Sequence, residues 1–317
     1  MVGGLAGGFA AQGTACYAAP GMKLTLATRK SLLALTQARA WYATLVAAHP
    51  GLTIEELHVV TTGDRITDRP LQEVGGKGLF LKEIEEALMD GRAELAVHSI
   101  KDVPAELAPG LVLGAIPVRE DPRDALVSRS GATLAELPPG SRVGTSSLRR
   151  ATLLRLARPD LLYVPLRGNV DTRLRKVADG EMDAAILAYA GLRRLGLADR
   201  VTEVLSPDLS LPAVGQGALG IEVRADDRTT QDLVRATHDP DTATAVACER
   251  GVMLAAEGSC QVPIAAYARR DGDRLVLRAM LADPDGSRPR FVDRVAPWPT
   301  TEREAHTLGL DAGNELR

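Results

Sequence analysis

Thr145-Ser146-Ser147, followed at once by Arg149 and Arg150, gathers three hydroxyls and two guanidinium groups at the start of a helix. Free N–H groups and hydroxyls at such a point suit an anion, and guanidinium forks grip carboxylate or phosphate bidentately. For the hydroxyls alone, an ordinary Ser/Thr N-cap is the competing reading. The two arginines belong to a longer run. Between Arg142 and Lys176, eight arginines and one lysine face only Asp160 and Asp171, a local charge of +7 in a chain whose net charge is −3. Arg167 stands just before the Gly168-Asn169 cap and Arg173 in the turn after it. Cations at helix N-termini oppose the macrodipole and cost a few tenths to about 1 kcal/mol each. Repetition of that cost implies a ligand with many negative charges.

Other segments carry reactive groups. His98-Ser99-Ile100-Lys101-Asp102-Val103-Pro104 leaves an apolar strand for a loop, and in open α/β sheets ligands sit at the carboxyl ends of strands. Lys101 and Asp102 read either as a solvated pair worth under about 1 kcal/mol or as working groups. In the second case Asp102 stabilises a developing cation or shuttles a proton. Gly75-Gly76-Lys77-Gly78 fails the phosphate-loop pattern, because Gly78 offers no hydroxyl to a metal. It reads as a flexible lid, with Lys77 able to point at an anion. Cys248 lies in an Ala/Val-rich helix and reads as core. Cys260 follows Gly258-Ser259 in a loop, where a thiol can be a nucleophile or an attachment point. No metal-ligand spacing is present, so no metal is expected.

Alternating strands and helices must position these groups, which predicts an α/β fold. Strands are expected at 23–27, 57–61, 95–98, 142–144, 162–164, 184–187, 264–268 and 274–281. Helices are expected at 31–48, 80–89, 148–157, 170–178, 190–195, 229–237, 242–256 and 302–308. The stretch 62–78 has no periodicity and reads as a loop. Arg119-Glu120-Asp121-Pro122-Arg123-Asp124 and the Pro/Gly-rich stretch 206–220 look like two crossovers. They make the first domain discontinuous: 22–118 plus 213–236, with a second domain at 119–212 and a third at 237–317. Residues 1–21, Gly/Ala-rich and without Lys or Arg, read as a disordered extension rather than a signal peptide.

Composition removes several classes. Aromatic residues are 3% of the chain, too few for the stacking platforms of single-stranded nucleic-acid binders. No run of 18 apolar residues exists to span a membrane. Three cysteines without C-x-x-C spacing argue against a disulfide framework and for a reducing cytoplasm.

Nine ordered segments resemble the porphobilinogen deaminase (hydroxymethylbilane synthase) family. They are ATRKS (27–31), VGGKGLF (74–80), AVHSIKDVP (96–104), REDPRDA (119–125), VGTSSLRR (143–150), LRGNVDTRL (166–174), ILAYAGLRRLG (186–196), LPAVGQGALGIE (211–222) and EGSCQVP (257–263). The similarity runs from about residue 23 to about 310. It implies three domains, the first two like the lobes of type II periplasmic binding proteins, and a small α+β third domain carrying the cofactor cysteine. It also implies a covalent dipyrromethane cofactor on Cys260 through a thioether. Four porphobilinogen molecules are joined to that cofactor with loss of ammonia, and hydroxymethylbilane is released by hydrolysis.

By the same resemblance Asp102 is the catalytic carboxylate. Lys101, Ser147, Arg149, Arg150 and Arg173 bind the cofactor. Arg29, Ser31, Arg149, Arg167, Arg173 and Arg194 bind the carboxylates of substrate and chain, and Gly75, Gly76, Lys77, Gly78 and Phe80 form the lid. The expected partner is porphobilinogen alone, with no nucleic acid or membrane, and the protein is expected to be a cytoplasmic monomer. Leu32 stands where the family commonly has proline, and the chain stops at Arg317, sooner than most relatives. A third domain short of full packing is therefore expected. The rival reading is a non-catalytic anion-binding protein on the same bilobal scaffold, which would need no loop cysteine.

Overall fold

The computed structural model describes residues 18–19, 21–65, 81–256 and 262–317. The lid residues Gly75, Gly76, Lys77, Gly78 and Phe80, as well as Cys260, lie outside the described residues, as does most of the expected extension.

The first sheet is built from β1 (Lys23–Arg29), β2 (Thr53–Val59), β3 (Leu95–Ser99), β4 (Leu111–Ala115) and, much later in the chain, β10 (Leu219–Arg224). The second is built from β5 (Asp124–Ser128), β6 (Arg142–Gly144), β7 (Leu162–Val164), β8 (Ala184–Ala188) and β9 (Glu203–Val204). Their strand orders, β2-β1-β3-β10-β4 and β7-β6-β8-β5-β9, follow one plan. Three parallel strands come first, then one strand antiparallel to both its neighbours, then an edge strand. The antiparallel strands β5 and β10 are those reached by the two crossovers. This is the two-lobed α/β arrangement of type II periplasmic binding proteins, with a third unit added.

Helices α1 (Leu32–Ala48), α2 (Thr62–Arg65) and α3 (Lys82–Met89) belong to the first half, and α4 (Leu148–Ala157), α5 (Val170–Ala178) and α6 (Tyr189–Arg194) to the second. Strands β3, β5, β8 and β10 are buried along almost their whole length, as expected of sheets covered on both faces. On one face of the first sheet, Trp41 and Leu45 of α1 pack with Leu26, Leu95 and Ile221. On the other, Ile84 and Leu88 of α3 pack with Ala27 and Ala96.

The chain continues through α7 (Arg228–Val234) and α8 (Pro240–Ala255) into the sheet β11 (Ile264–Asp271), β12 (Arg274–Leu281), β13 (Arg290–Pro297), and ends in α9 (Glu302–Leu316). Asp239 caps α8 by accepting the Thr242 N–H at 2.8 Å, and Pro240 opens the helix. Helices α8 and α9 meet backbone to backbone. A Cβ added at Gly251 would lie 2.2 Å from His306 O. Helix α9 runs beyond the expected end at 308, and Ala305, Ala312 and Leu316 are fully buried. Among the described residues, helix α9 thus packs closely on α8.

Several local expectations change. Strand β2 lies at Thr53–Val59 rather than 57–61, and the supposed loop after it opens with the short helix α2. Strands β4, β5, β9, β10 and β13 had no counterpart in the sequence reading. Leu32 is the first residue of α1 and is 56% exposed. Ser31 caps that helix by accepting the Ala34 N–H, so proline is not needed to start it.

Candidate active site

The predicted residues collect at the carboxyl ends of parallel strands in both sheets. Arg29 ends β1, and Ser31 follows it as the cap of α1. Strand β3 ends at Ser99 and runs into a single 3-10 turn, Ile100–Asp102. Gly144 ends β6, then Ser147 caps α4 by accepting the Arg150 N–H at 3.4 Å. Asn169 caps α5 after β7, and α5 carries Arg173. Arg194 closes α6 directly after β8.

The Ile100–Asp102 turn is fixed from below. Ile100 N–H donates to Ala218 O at 3.1 Å, and Val103 N–H closes the turn on Ile100 O at 3.0 Å. Ile100 is fully buried against the second crossover, and Gly215 there has φ +66. A Cβ at that position would meet the Ile100 side chain at 2.1 Å, so the approach requires glycine. Asp102 is left exposed at the end of the turn, and Lys101 is partly buried. Burial holds the Lys101 ammonium below its usual range, with Asp102 and Asp124 opposing that shift and Arg150 and Arg173 adding to it. This burial sets Lys101 apart from a fully solvated surface charge.

These interactions cross from one sheet to the other. Lys101 and Asp102 come from the first, whereas Arg150 and Arg173 come from the second. Arg173 is pushed down to about 10 by burial, then by Arg150 and Arg167, with Asp102 opposing. Its Nε donates to Gly168 O at 2.8 Å. Among the described residues, five cations (Lys101, Arg149, Arg150, Arg167 and Arg173) thus gather near two carboxylates, Asp102 and Asp124. Arg194 lies to one side at the crossover. Its Nη2 donates to Gly217 O at 2.6 Å, and burial holds it below its usual range, with Glu120 opposing.

Arg149 and Arg150 differ from the simple expectation of two cations awaiting a ligand. Both are buried on Asp124, the first residue of β5, which is fully buried. Arg149 Nη1 donates to Asp124 Oδ2 at 2.9 Å, and Arg150 Nη2 donates to Oδ1 at 2.7 Å. Ser210 Oγ and Gln216 Nε2 complete the shell at 2.7 and 2.9 Å. Burial alone would raise this carboxyl, but the two guanidinium groups outweigh it and hold Asp124 well below its usual range. The pair therefore presents about one net positive charge to the cleft. The macrodipole cost read from sequence is offset within the chain.

The hydroxyls before α4 also serve the fold. Ser146 Oγ donates to Leu166 O at 2.9 Å and accepts the Leu166 N–H at 3.1 Å, tying the start of α4 to the loop before α5. Thr145 Oγ1 accepts the Ser147 N–H. Cys248 is fully buried in α8, and burial pushes its thiol up to about 12, in agreement with a core role.

Sequence reasoning missed Asp124, Ser210 and Gln216. One signal existed for Asp124. An aspartate directly opening the apolar strand Ala-Leu-Val is carried into the interior and must find cations there. Third-unit residues were missed as well. Glu249 of α8 takes a bidentate hydrogen bond from Arg119 at 2.6 and 3.1 Å and the Gly215 N–H at 2.6 Å.

The family model "Porphobilinogen deaminase, dipyromethane cofactor binding domain" matches residues 24–232, and "Porphobilinogen deaminase, C-terminal domain" matches 243–317. The chain is 64% identical over 295 residues to the porphobilinogen deaminase of Sorangium cellulosum, covering 93% of this chain and 98% of that protein. It is 50% identical over 293 residues to that of Syntrophobacter fumaroxidans, covering 92% and 94%. It is 52% identical over 271 residues to that of a Roseiflexus species, covering 86% and 89%. With a bilobal cleft lined by cations beside one exposed carboxylate, the chain belongs to the porphobilinogen deaminase family.

Proposed function

We propose that Asp102 is the catalytic carboxylate of this cleft, and that the cations around it bind the carboxylates of cofactor, substrate and growing chain. The reaction itself follows from the family. Four porphobilinogen molecules are condensed with loss of ammonia, and hydroxymethylbilane is released by hydrolysis, a transferase step of tetrapyrrole biosynthesis. The covalent dipyrromethane cofactor supplies the pyrrole end to which the units are joined.

One observation carries the reading: an exposed Asp102 between Lys101 and Arg173, two cations that burial has made costly to keep charged. Desolvated cations with so few carboxylates of their own fit an anionic group such as dipyrromethane. In this reading Lys101, Ser147, Arg149, Arg150 and Arg173 hold it, with the thioether at Cys260. Arg29, Ser31, Arg167 and Arg194, with Arg149 and Arg173, take the acetate and propionate of incoming porphobilinogen. Gly75, Gly76, Lys77, Gly78 and Phe80 are assigned to a lid.

Loss of ammonia leaves positive charge spread over the pyrrole, and the Asp102 carboxylate stabilises it at the pyrrole N–H. After the new carbon–carbon bond forms, the same oxygen accepts the proton left on the pyrrole α-carbon. The fixed turn holds the carboxylate while its exposed face meets successive units. We further assign a cytoplasmic monomer without nucleic-acid partners. The odd cysteine count and the aromatic scarcity support this. Among the described residues no helix is long and apolar enough to cross a membrane.

The direct test is Asp102→Asn. Turnover is expected to fall by about 10²–10⁴, while porphobilinogen still binds. Near-normal turnover would refute the assignment. Intact mass before and after Cys260→Ser checks the attachment point: the added dipyrromethane mass should vanish in the variant.

A further inference from the structure

We propose that Arg250 is a positioning residue for Asp102, holding the catalytic turn to the helix that leads to Cys260. The inference rests on the assignment of Asp102 above.

Arg250 lies on α8, in the third unit, yet its guanidinium reaches the chain just after Asp102. Nη2 donates to Pro104 O and Ala105 O, both at 2.8 Å, and Nη1 donates to Val103 O at 3.5 Å. One side chain thus serves three successive carbonyls. Val103 is itself the residue whose N–H closes the Ile100–Asp102 turn, and it is buried. The turn is therefore fixed at its start by Ala218 O and at its end through Arg250. With Pro104 next in line, the chain has no N–H of its own there to replace the lost anchor.

The surroundings make this grip specific. Arg250 is partly buried and faces Glu222 of β10, whose Oε2 accepts a hydrogen bond from His98 Nε2 at 2.9 Å. Glu85 of α3 takes the backbone N–H of Ala108 and lies near the same pair. Burial, together with the Arg250 charge, holds His306 of α9 below its usual range. Adjacent on α8, Glu249 binds Arg119 and the Gly215 N–H. Consecutive residues of one helix therefore hold the crossover and the catalytic turn. Helix α8 ends at Ala255, and Cys260 follows it in sequence. The helix that precedes Cys260 in sequence is thereby registered against the turn that carries Asp102.

Arg250→Lys keeps the charge and loses the forked grip. The expected result is a fall in kcat of about 10–100-fold, the scale set by small misplacements of catalytic groups, with KM changed less than about 2-fold and cofactor mass retained. Amide exchange at Val103 should accelerate at least about 10-fold while that of β8 stays unchanged. Arg250→Gln should show the same loss of kcat. In an Asp102→Asn background the Lys substitution should add nothing further. Unchanged kcat, a raised KM at constant kcat, or an equal cost in both backgrounds would overturn the proposal. Normal turnover of Asp102→Asn alone would instead sink the Asp102 assignment, and exchange at Val103 still reads whether Arg250 holds the turn.

Discussion

The Asp124 carboxylate meets the Arg150 guanidinium at 2.7 Å in the interior, joining the first crossover to the opening turn of α4. Arg149, Ser210 and Gln216 converge on the same two oxygens. Asp124→Ala should therefore cost about 3–5 kcal/mol, because it leaves two buried guanidinium groups without their counter-ion. Urea unfolding measures it. Since folding holds this carboxyl below its usual range, its contribution is complete above the unfolded value near 3.8 and is lost only as pH falls further.

Arg173 stands in the opposite position. It is desolvated, beside Arg150 and Arg167, and held down to about 10. Removing that charge relieves repulsion in the free protein but weakens the grip on carboxylates. Arg173→Gln should raise KM by about 10–100-fold, the loss of one charged hydrogen bond. It should leave thermal stability unchanged or raise it by up to about 1 kcal/mol. Steady-state kinetics and calorimetry on one preparation check both halves.

Acid should act first at a different place. Glu56 on β2 is held at about 2, chiefly by the Arg39 hydrogen bonds at 2.8 and 2.9 Å, against its own burial, with His58 assisting. Its folded value is depressed, so the stabilisation is full above about 4.5 and fades as pH drops toward 2. Arg39 is 54% exposed, so screening limits the Glu56 contribution to under about 1 kcal/mol. Glu56→Gln should be less stable than the parent at pH 7 by that amount, with the difference shrinking below pH 4.5 and vanishing only below about pH 2.

Two glycines separate packing from propensity. A Cβ at Gly309 would fall 1.9 Å from Cys248 O, across the α8–α9 contact. Gly309→Ala should cost about 1–3 kcal/mol or more by forcing the helices apart. At Gly191 the nearest atom is Leu33 Cδ2 at 3.6 Å, so Gly191→Ala should be neutral or stabilising by up to about 1 kcal/mol. The denaturation midpoint should fall for Gly309→Ala and hold or rise for Gly191→Ala.

How much could be read in advance depended on how local the signal was. Helices α4 and α5 match the sequence reading residue for residue, because Ser147 and Asn169 cap them within one turn. Strand β5 was hidden because its first residue looks like the end of a charged turn. Strand β10 was hidden because Glu222 interrupts an apolar run and is accommodated by His98, 124 residues away, and by the charge of Arg250. Strand β2 lies at the edge of its sheet, where half its residues face water and blur the pattern. The arginines of the site were visible as a charge excess. The hydrogen bonds that tie two of them to Asp124 were not, since they bridge 25 and 26 residues.

The late return of β10 to the first sheet also sets an order of assembly. The second sheet is contiguous in the chain, from Asp124 to Val204, whereas the first lacks its fourth strand until Leu219–Arg224 has been made. On a ribosome the earlier-synthesised lobe must therefore wait, half-finished, while the later one can close. Until β10 inserts between β3 and β4, both present open edges to other chains. The lobe that carries Asp102 is thus the one whose sheet edges stay open longest during synthesis.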